Sequence, residues 1–175
     1  MHRNFRDRKA GFELGGVMTV EHTIRAFDAD LQELARKIAQ MGRQIDGQIA
    51  AAIEALVKRD NALAEQVVAA DDRIDALQRE IEEKAVTTIA RRQPMAADLR
   101  EIVAALHIAN DLERVGDLAE NIAKRVPMLA DEVSIDEALL QLQRMAQLVR
   151  EQLKRILGSY ERRDIVEAMA VWGRD

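Results

Sequence analysis

The stretch IRAFDADLQELARKIAQMGRQIDGQIAAAIEAL, residues 24–56, decides the fold. Its apolar side chains fall at Ile24, Phe27, Leu31, Leu34, Ile38, Met41, Ile45, Ile49, Ile53 and Leu56, always three or four residues apart. Steps of that size return to one side of a 3.6-residue turn, so the stretch reads as a single amphipathic helix with a near-heptad seam. At 1.5 Å per residue it is roughly 50 Å long. Gly42 and Gly47 lie inside it. Each costs about 1 kcal/mol against Ala, a cost that close packing of a neighbour would explain.

The same periodicity continues on the C-terminal side. After the polar break Lys58-Arg59-Asp60-Asn61, a second seam runs through Leu63, Val67, Ala70, Ile74, Leu77, Ile81, Ala85 and Thr88. Arg91-Arg92-Gln93-Pro94 ends it, and Pro94 suits the first position of a new helix, where no N–H is needed. A third helix is expected from about Met95 to Arg125, stopping before Pro127. Ser134-Ile135-Asp136-Glu137 has the form of a capping box. It opens a fourth helix with seam Leu139, Leu142, Met145, Val149, Leu153 and Leu157, closed by Gly158, and a fifth begins near Asp164. Met41 and Met145 read as core fillers, and Tyr160 and Trp172 as packing for helices four and five. An offset of 104 residues brings Met41 onto Met145, Arg59-Asp60 onto Arg163-Asp164, Val67 onto Val171 and Asp71 onto Asp175. The chain therefore reads as one helical unit and the beginning of a second.

Composition agrees with an all-α chain. Of 175 residues, 48% are hydrophobic, 33% charged and only 3% aromatic, with eight Gly and two Pro. Such a chain has enough apolar surface to fold and few residues for the turns of a sheet protein. With no Cys, disulfides, thiolate metal sites and Cys nucleophiles are excluded. A net charge of −5 argues against binding nucleic acid through overall charge. No apolar run approaches the roughly 18 residues that span a bilayer. Residues 1–17 read as a loose basic tail without a signal sequence, Met18 as a natural start, and the cytoplasm as the expected location.

The chemistry concentrates on helices two and three. Glu113, Asp117 and Asn121 are spaced i, i+4, i+8 and share one face, and Asn110 points the same way. Ile108, Leu112, Val115, Ala119, Ile122 and Val126 form an apolar stripe on the other side. Asp71 and Asp75 make a second i, i+4 pair on helix two. In a hairpin centred near Gln93, equal rise puts the two pairs at nearly the same height on neighbouring antiparallel helices. Like charges at i, i+4 cost about 0.2–0.5 kcal/mol, and neither Glu113 nor Asp71 has a basic residue three or four positions away. By contrast Glu120 has Lys124 and Asp75 has Arg79. Four gathered carboxylates favour a hard cation, such as Mg²⁺, Mn²⁺, Ca²⁺ or iron. A solvated acidic face is the competing reading.

These residues carry a family resemblance. Arg92-Gln-Pro-Met-Ala-Ala-Asp-Leu-Arg100, the run from Ala105 to Ala123 that contains Asn110-Asp111-Leu112-Glu113-Arg114-Val115-Gly116-Asp117, and the opening from Met18 to Asp28 resemble PhoU, the phosphate-uptake regulators. The resemblance runs from about Met18 to Asp175. It implies tandem three-helix bundles with paired E(D)xxxD motifs that bind metal, often as multinuclear clusters. Those motifs fall on Asp71, Asp75, Glu113 and Asp117, with Asn121 and Asn110 as possible additions. The expected domains are a tail at 1–17, a first bundle at 18–130 and a partial second repeat at 131–175. The chain ends at Asp175, where the offset places the first carboxylate of a second motif set.

The resemblance also implies function: an adaptor that restrains the phosphate regulon and modulates uptake. Its implied partners are a PhoR-like sensor histidine kinase and the PstB-like ATPase of the phosphate ABC transporter. The metal, divalent or trivalent, is expected to be Mg, Mn, Fe or Zn. Helices four and five are expected to pair with a second copy. Two rivals are a purely structural helical bundle and a di-metal carboxylate enzyme. The latter usually needs Glu-x-x-His pairs, and none occurs. His107 lies about 120° round the helix from Glu113, at the edge of the site. With no Gly-rich phosphate loop and no Ser-His-Asp set either, the chain reads as a non-enzyme.

Overall fold

The computed structural model describes residues 13–129 and 136–174, with side chains from 25–129 and 137–174. Five helices follow in order: α1 Glu13–Lys58, α2 Asn61–Arg92, α3 Ala97–Lys124, α4 Asp136–Arg162 and α5 Ile165–Trp172, with a 3₁₀ turn Val126–Leu129 after α3. Helix α1 begins five residues inside the stretch expected to be tail.

The corner between α1 and α2 explains how two long helices reverse direction in two residues. Arg59 takes a left-handed φ of 54°. Its N–H bonds to the Leu56 carbonyl at 3.3 Å, and that of Asp60 to the Ala55 carbonyl at 2.9 Å. That pairing is a Schellman close, which satisfies the last carbonyls of α1. Asp60 then caps α2, its Oδ1 accepting from the Leu63 N–H at 3.0 Å. The same corner recurs 104 residues later. Arg163 also has φ 54°, the Asp164 N–H bonds to the Ser159 carbonyl at 2.8 Å, and Asp164 Oδ1 caps α5 through the Glu167 N–H at 3.0 Å. The sequence repeat is thus a repeat of backbone geometry.

Helix α2 ends on Gln93 in a left-handed conformation, φ 49°. Pro94 lies in the connector, not at the first position of α3. Ala96 takes φ 50° and turns the chain again, so helical geometry starts only at Ala97.

Helices α1, α2 and α3 enclose the core. Leu34, Ile38, Met41 and Ile45 of α1, Ile74 and Ile81 of α2, and Ile102 of α3 are fully buried. Each such side chain is worth about 1.5–3 kcal/mol of burial. From α3 the buried line is Ile102, Ala105, Ala109, Leu112, Gly116, Ala119 and Ala123. The expected stripe is displaced round the helix: Ile108, Val115 and Ile122 only flank the core. Small residues on the buried line let the backbone of α3 approach its neighbours.

Helix α4 packs on the other side of α1. The Cβ that Gly42 lacks would lie 2.1 Å from Leu157 Cδ1, whereas no atom of the described residues lies within 4 Å of the corresponding position on Gly47. Close packing therefore accounts for the first glycine and not the second. Asp46 receives Arg150 through Nε at 2.8 Å and Nη2 at 3.1 Å, and Lys154 at 3.2 Å. Helix α4 continues through Gly158, whose expected closing role passes to Arg163 and Asp164. Ser134 of the expected capping box lies outside the described residues. Tyr160 packs against the core as expected. Met145 and Trp172 do not pack, being 56% and 73% exposed. Leu148, Val166 and Met169 of the same two helices are likewise exposed, with no helix covering them among the described residues.

Candidate metal centre

The α2–α3 hairpin brings the acidic pairs to a common level. Among the described residues, one oxygen each from Asp71, Asp117 and Glu120 lie within 4.8 Å of one another, all three side chains half-buried. Oxygens on opposite sides of a hard cation stand about 4.2–5.2 Å apart. Of the four expected ligands, Asp71 and Asp117 thus join this trio. Asp75 and Glu113 stand outside it, but their charges reach it.

The electrostatics bind the five carboxyls into one group. Burial pushes the Asp71 carboxyl up, the Gln48 hydrogen bond opposes this, and the charges of Glu120, Asp75 and Asp117 add to the rise. Burial also raises Glu113, followed by the charges of Asp117, Asp75 and Asp71, with Arg114 pulling the other way. These are the signs of negative charge confined with too little compensation. Asp75 is 3.8 Å from Arg79, a weak exposed pair. Asn121 is exposed. Asn110 is exposed too, and its Oδ1 accepts from Gln78 Nε2 at 2.8 Å.

Two residues in the site were not singled out from the sequence. Glu120 has Lys124 four residues on, which reads as local compensation, and that pair does form, at 2.5 Å. The spacing Glu113, Asp117, Glu120 nevertheless repeats every three or four residues, which was signal enough. The second is Gln48 on α1, whose Nε2 donates to Asp71 Oδ1 at 3.0 Å. Taking the Arg59-Asp60 corner as a second hairpin tip puts Gln48 level with Asp71 by the argument used for α2 and α3.

The donor set suits a hard cation: carboxylate oxygens with no nitrogen or sulfur among the trio. Two further observations agree. Gln48 Oε1 is buried without a hydrogen-bond partner among the described residues. Gly116 lets α3 come close to it: a Cβ there would meet Ile74 Cδ1 at 3.2 Å, Gln48 Oε1 at 3.3 Å and Asp71 Oδ1 at 3.4 Å.

A three-helix bundle with acid pairs facing each other across its second and third helices defines a class of carboxylate-bearing all-helical proteins. Comparison gives the class its family. Residues 38–126 match the PhoU domain model. The phosphate-specific transport system accessory protein PhoU homolog of Caulobacter vibrioides is 44% identical over 155 residues, 89% of this chain and 67% of that protein. The crystal structure of PhoU from Pseudomonas aeruginosa superposes with a TM-score of 0.77 at 33% identity, covering 82% of this chain and 69% of that one. The phosphate transport system regulatory protein PhoU from Streptococcus pneumoniae gives 0.76 at 28% identity, covering 83% and 68%. The chain belongs to the PhoU family, and spans about two thirds of the length of these relatives. They are named as accessory and regulatory proteins, in agreement with the expectation of a non-enzyme. No helix among the described residues is long and apolar enough to cross a membrane.

Proposed function

We propose that this chain is a metal-dependent adaptor of phosphate uptake, restraining the phosphate regulon through contacts with a sensor histidine kinase and with the ATPase of the phosphate ABC transporter. The names of its relatives support the link to phosphate transport. One observation carries the metal: oxygens of Asp71, Asp117 and Glu120 gathered within 4.8 Å at the level of Asp75 and Glu113. A cation there offsets part of the negative charge of the five acids and leaves a rigid surface whose charge depends on occupancy. Such a surface docks differently on a basic partner when loaded and when empty. Mn, Fe or Mg is the expected occupant, as hard ions that accept carboxylate oxygen. Zn fits an all-oxygen set less well. In a cytoplasmic setting the partners would be the intracellular faces of the kinase and the transporter.

The test is a pull-down of the transporter ATPase and of the kinase's cytoplasmic part, with Mn²⁺ and with chelator, on wild type and Asp117→Asn. Metal-dependent capture that Asp117→Asn abolishes is expected. Capture unaffected by chelator and by the substitution would remove the metal from the docking step. No capture of either partner would reject the adaptor reading.

A further inference from the structure

The acids meet on α2 and α3, but the side chain that holds Asp71 comes from α1. Gln48 is 5% exposed, one of three buried polar residues among those described. Its Nε2 donates to Asp71 Oδ1 at 3.0 Å and faces the Val67 carbonyl at 3.5 Å. Both neighbours are acceptors, so the amide is locked in this orientation: exchanging nitrogen and oxygen would set an acceptor against an ionised carboxylate and a carbonyl. Its Oε1 is consequently held where no group among the described residues donates to it. A buried acceptor left so is destabilising. That oxygen and Asp71 Oδ1 both lie against Gly116 of α3, where a Cβ would meet them at 3.3 and 3.4 Å. Packing alone would be served better by an apolar residue of the same length. What the amide oxygen lacks is a hydrogen-bond donor beside the Asp71 carboxylate, and a water bound to a hard cation is such a donor, since these ions keep several of their waters.

We propose that Gln48 is a positioning residue of the metal centre: its amide nitrogen orients the Asp71 carboxylate, and its amide oxygen accepts a hydrogen bond from a water carried by a cation seated on Asp71, Asp117 and Glu120. The proposal rests on the metal reading given above and extends it to a third helix. A loaded centre then fastens α1 to the α2–α3 hairpin. Helix α1 is also the one that carries α4, through Asp46, two residues from Gln48.

The experiment is a calorimetric titration of the full chain with Mn²⁺, together with the water-proton relaxation rate of the bound ion and the melting temperature of the metal-free protein. The variants are Gln48→Met, Gln48→Glu and Asp117→Asn. Gln48→Met is expected to weaken Mn²⁺ binding about tenfold, as loss of an outer partner of a metal site does, and to change the relaxation rate. It should not lower the metal-free melting temperature, because it removes an unpaired oxygen. Gln48→Glu keeps an acceptor but sets a charge beside Asp71, so it should melt lower without metal and recover with Mn²⁺. Wild-type affinity and relaxation in Gln48→Met, with binding lost in Asp117→Asn, would overturn the role of Gln48 and leave the metal centre standing. Undiminished binding in all three variants would overturn both. A fall in the metal-free melting temperature of Gln48→Met with an unchanged relaxation rate would assign Gln48 to packing.

Discussion

Asp71 and Glu113 set a stability cost that depends on pH. Both carboxyls are raised above their ordinary values of 3.8 and 4.5, first by burial and then by neighbouring acids. The folded protein therefore binds these protons more tightly than the unfolded chain. The resulting stability is complete below the ordinary values and is lost as pH rises through the raised ones. In metal-free protein at pH 7, Asp71→Asn should raise the urea midpoint, and the gain should vanish as pH falls toward 3.8. A gain that persisted at acid pH would argue against charge as the cause. The glycines separate in a similar way. Gly47→Ala meets open space and should stabilise by about 1 kcal/mol, the helix propensity difference. Gly116→Ala meets three atoms between 3.2 and 3.4 Å and should forfeit most of that gain while weakening Mn²⁺ binding. Parallel urea titrations of the two variants check this.

Among the elements, α4 depends most on a few named contacts. It is fastened to α1 by the bidentate Arg150–Asp46 pair, by Lys154 and by Leu157 against Gly42. The Arg150 hydrogen bond holds the Asp46 carboxyl below its ordinary value. This contribution is present above that value and is lost as pH falls through the lowered one, opposite in sign to Asp71. The pair is mostly sheltered, so Asp46→Ala should cost about 1–2 kcal/mol, between exposed and buried ion pairs. Hydrogen exchange should show the loss as faster exchange across α4 and α5, with α2 and α3 unchanged. Uniform acceleration across all helices would mean that α4 is part of the main cooperative unit.

For the whole molecule, the open face of α4 and α5 matters most. Leu148, Met145, Val166, Met169 and Trp172 expose more than half their surface. An exposed apolar patch of this kind marks an interaction surface. We expect it to meet the same face on a second copy. Light scattering on dilution should give twice 19.7 kDa at micromolar concentration, and Val166→Glu with Trp172→Glu should shift the mass to that of one chain. A concentration-independent single-chain mass for wild type would count against self-association.

Much of this was legible in one dimension. Seams with steps of three and four residues gave the helices, and the 104-residue offset gave the recurrent Arg-Asp corner, because helix periodicity and capping are local. Equal rise on either side of a turn was enough to bring Asp71 level with Asp117. Which neighbours touch is a matter of rotation and depth, and these follow from packing. Small residues pulled α3 inward along Ala105, Ala109 and Gly116, displaced its expected stripe, brought Glu120 to the acids, and set Gly116 against Gln48 and Asp71. The sequence by itself determined the rods and their register. Only the tertiary structure decided how each rod is rolled about its axis, because that roll minimises void and buried charge over all the helices at once.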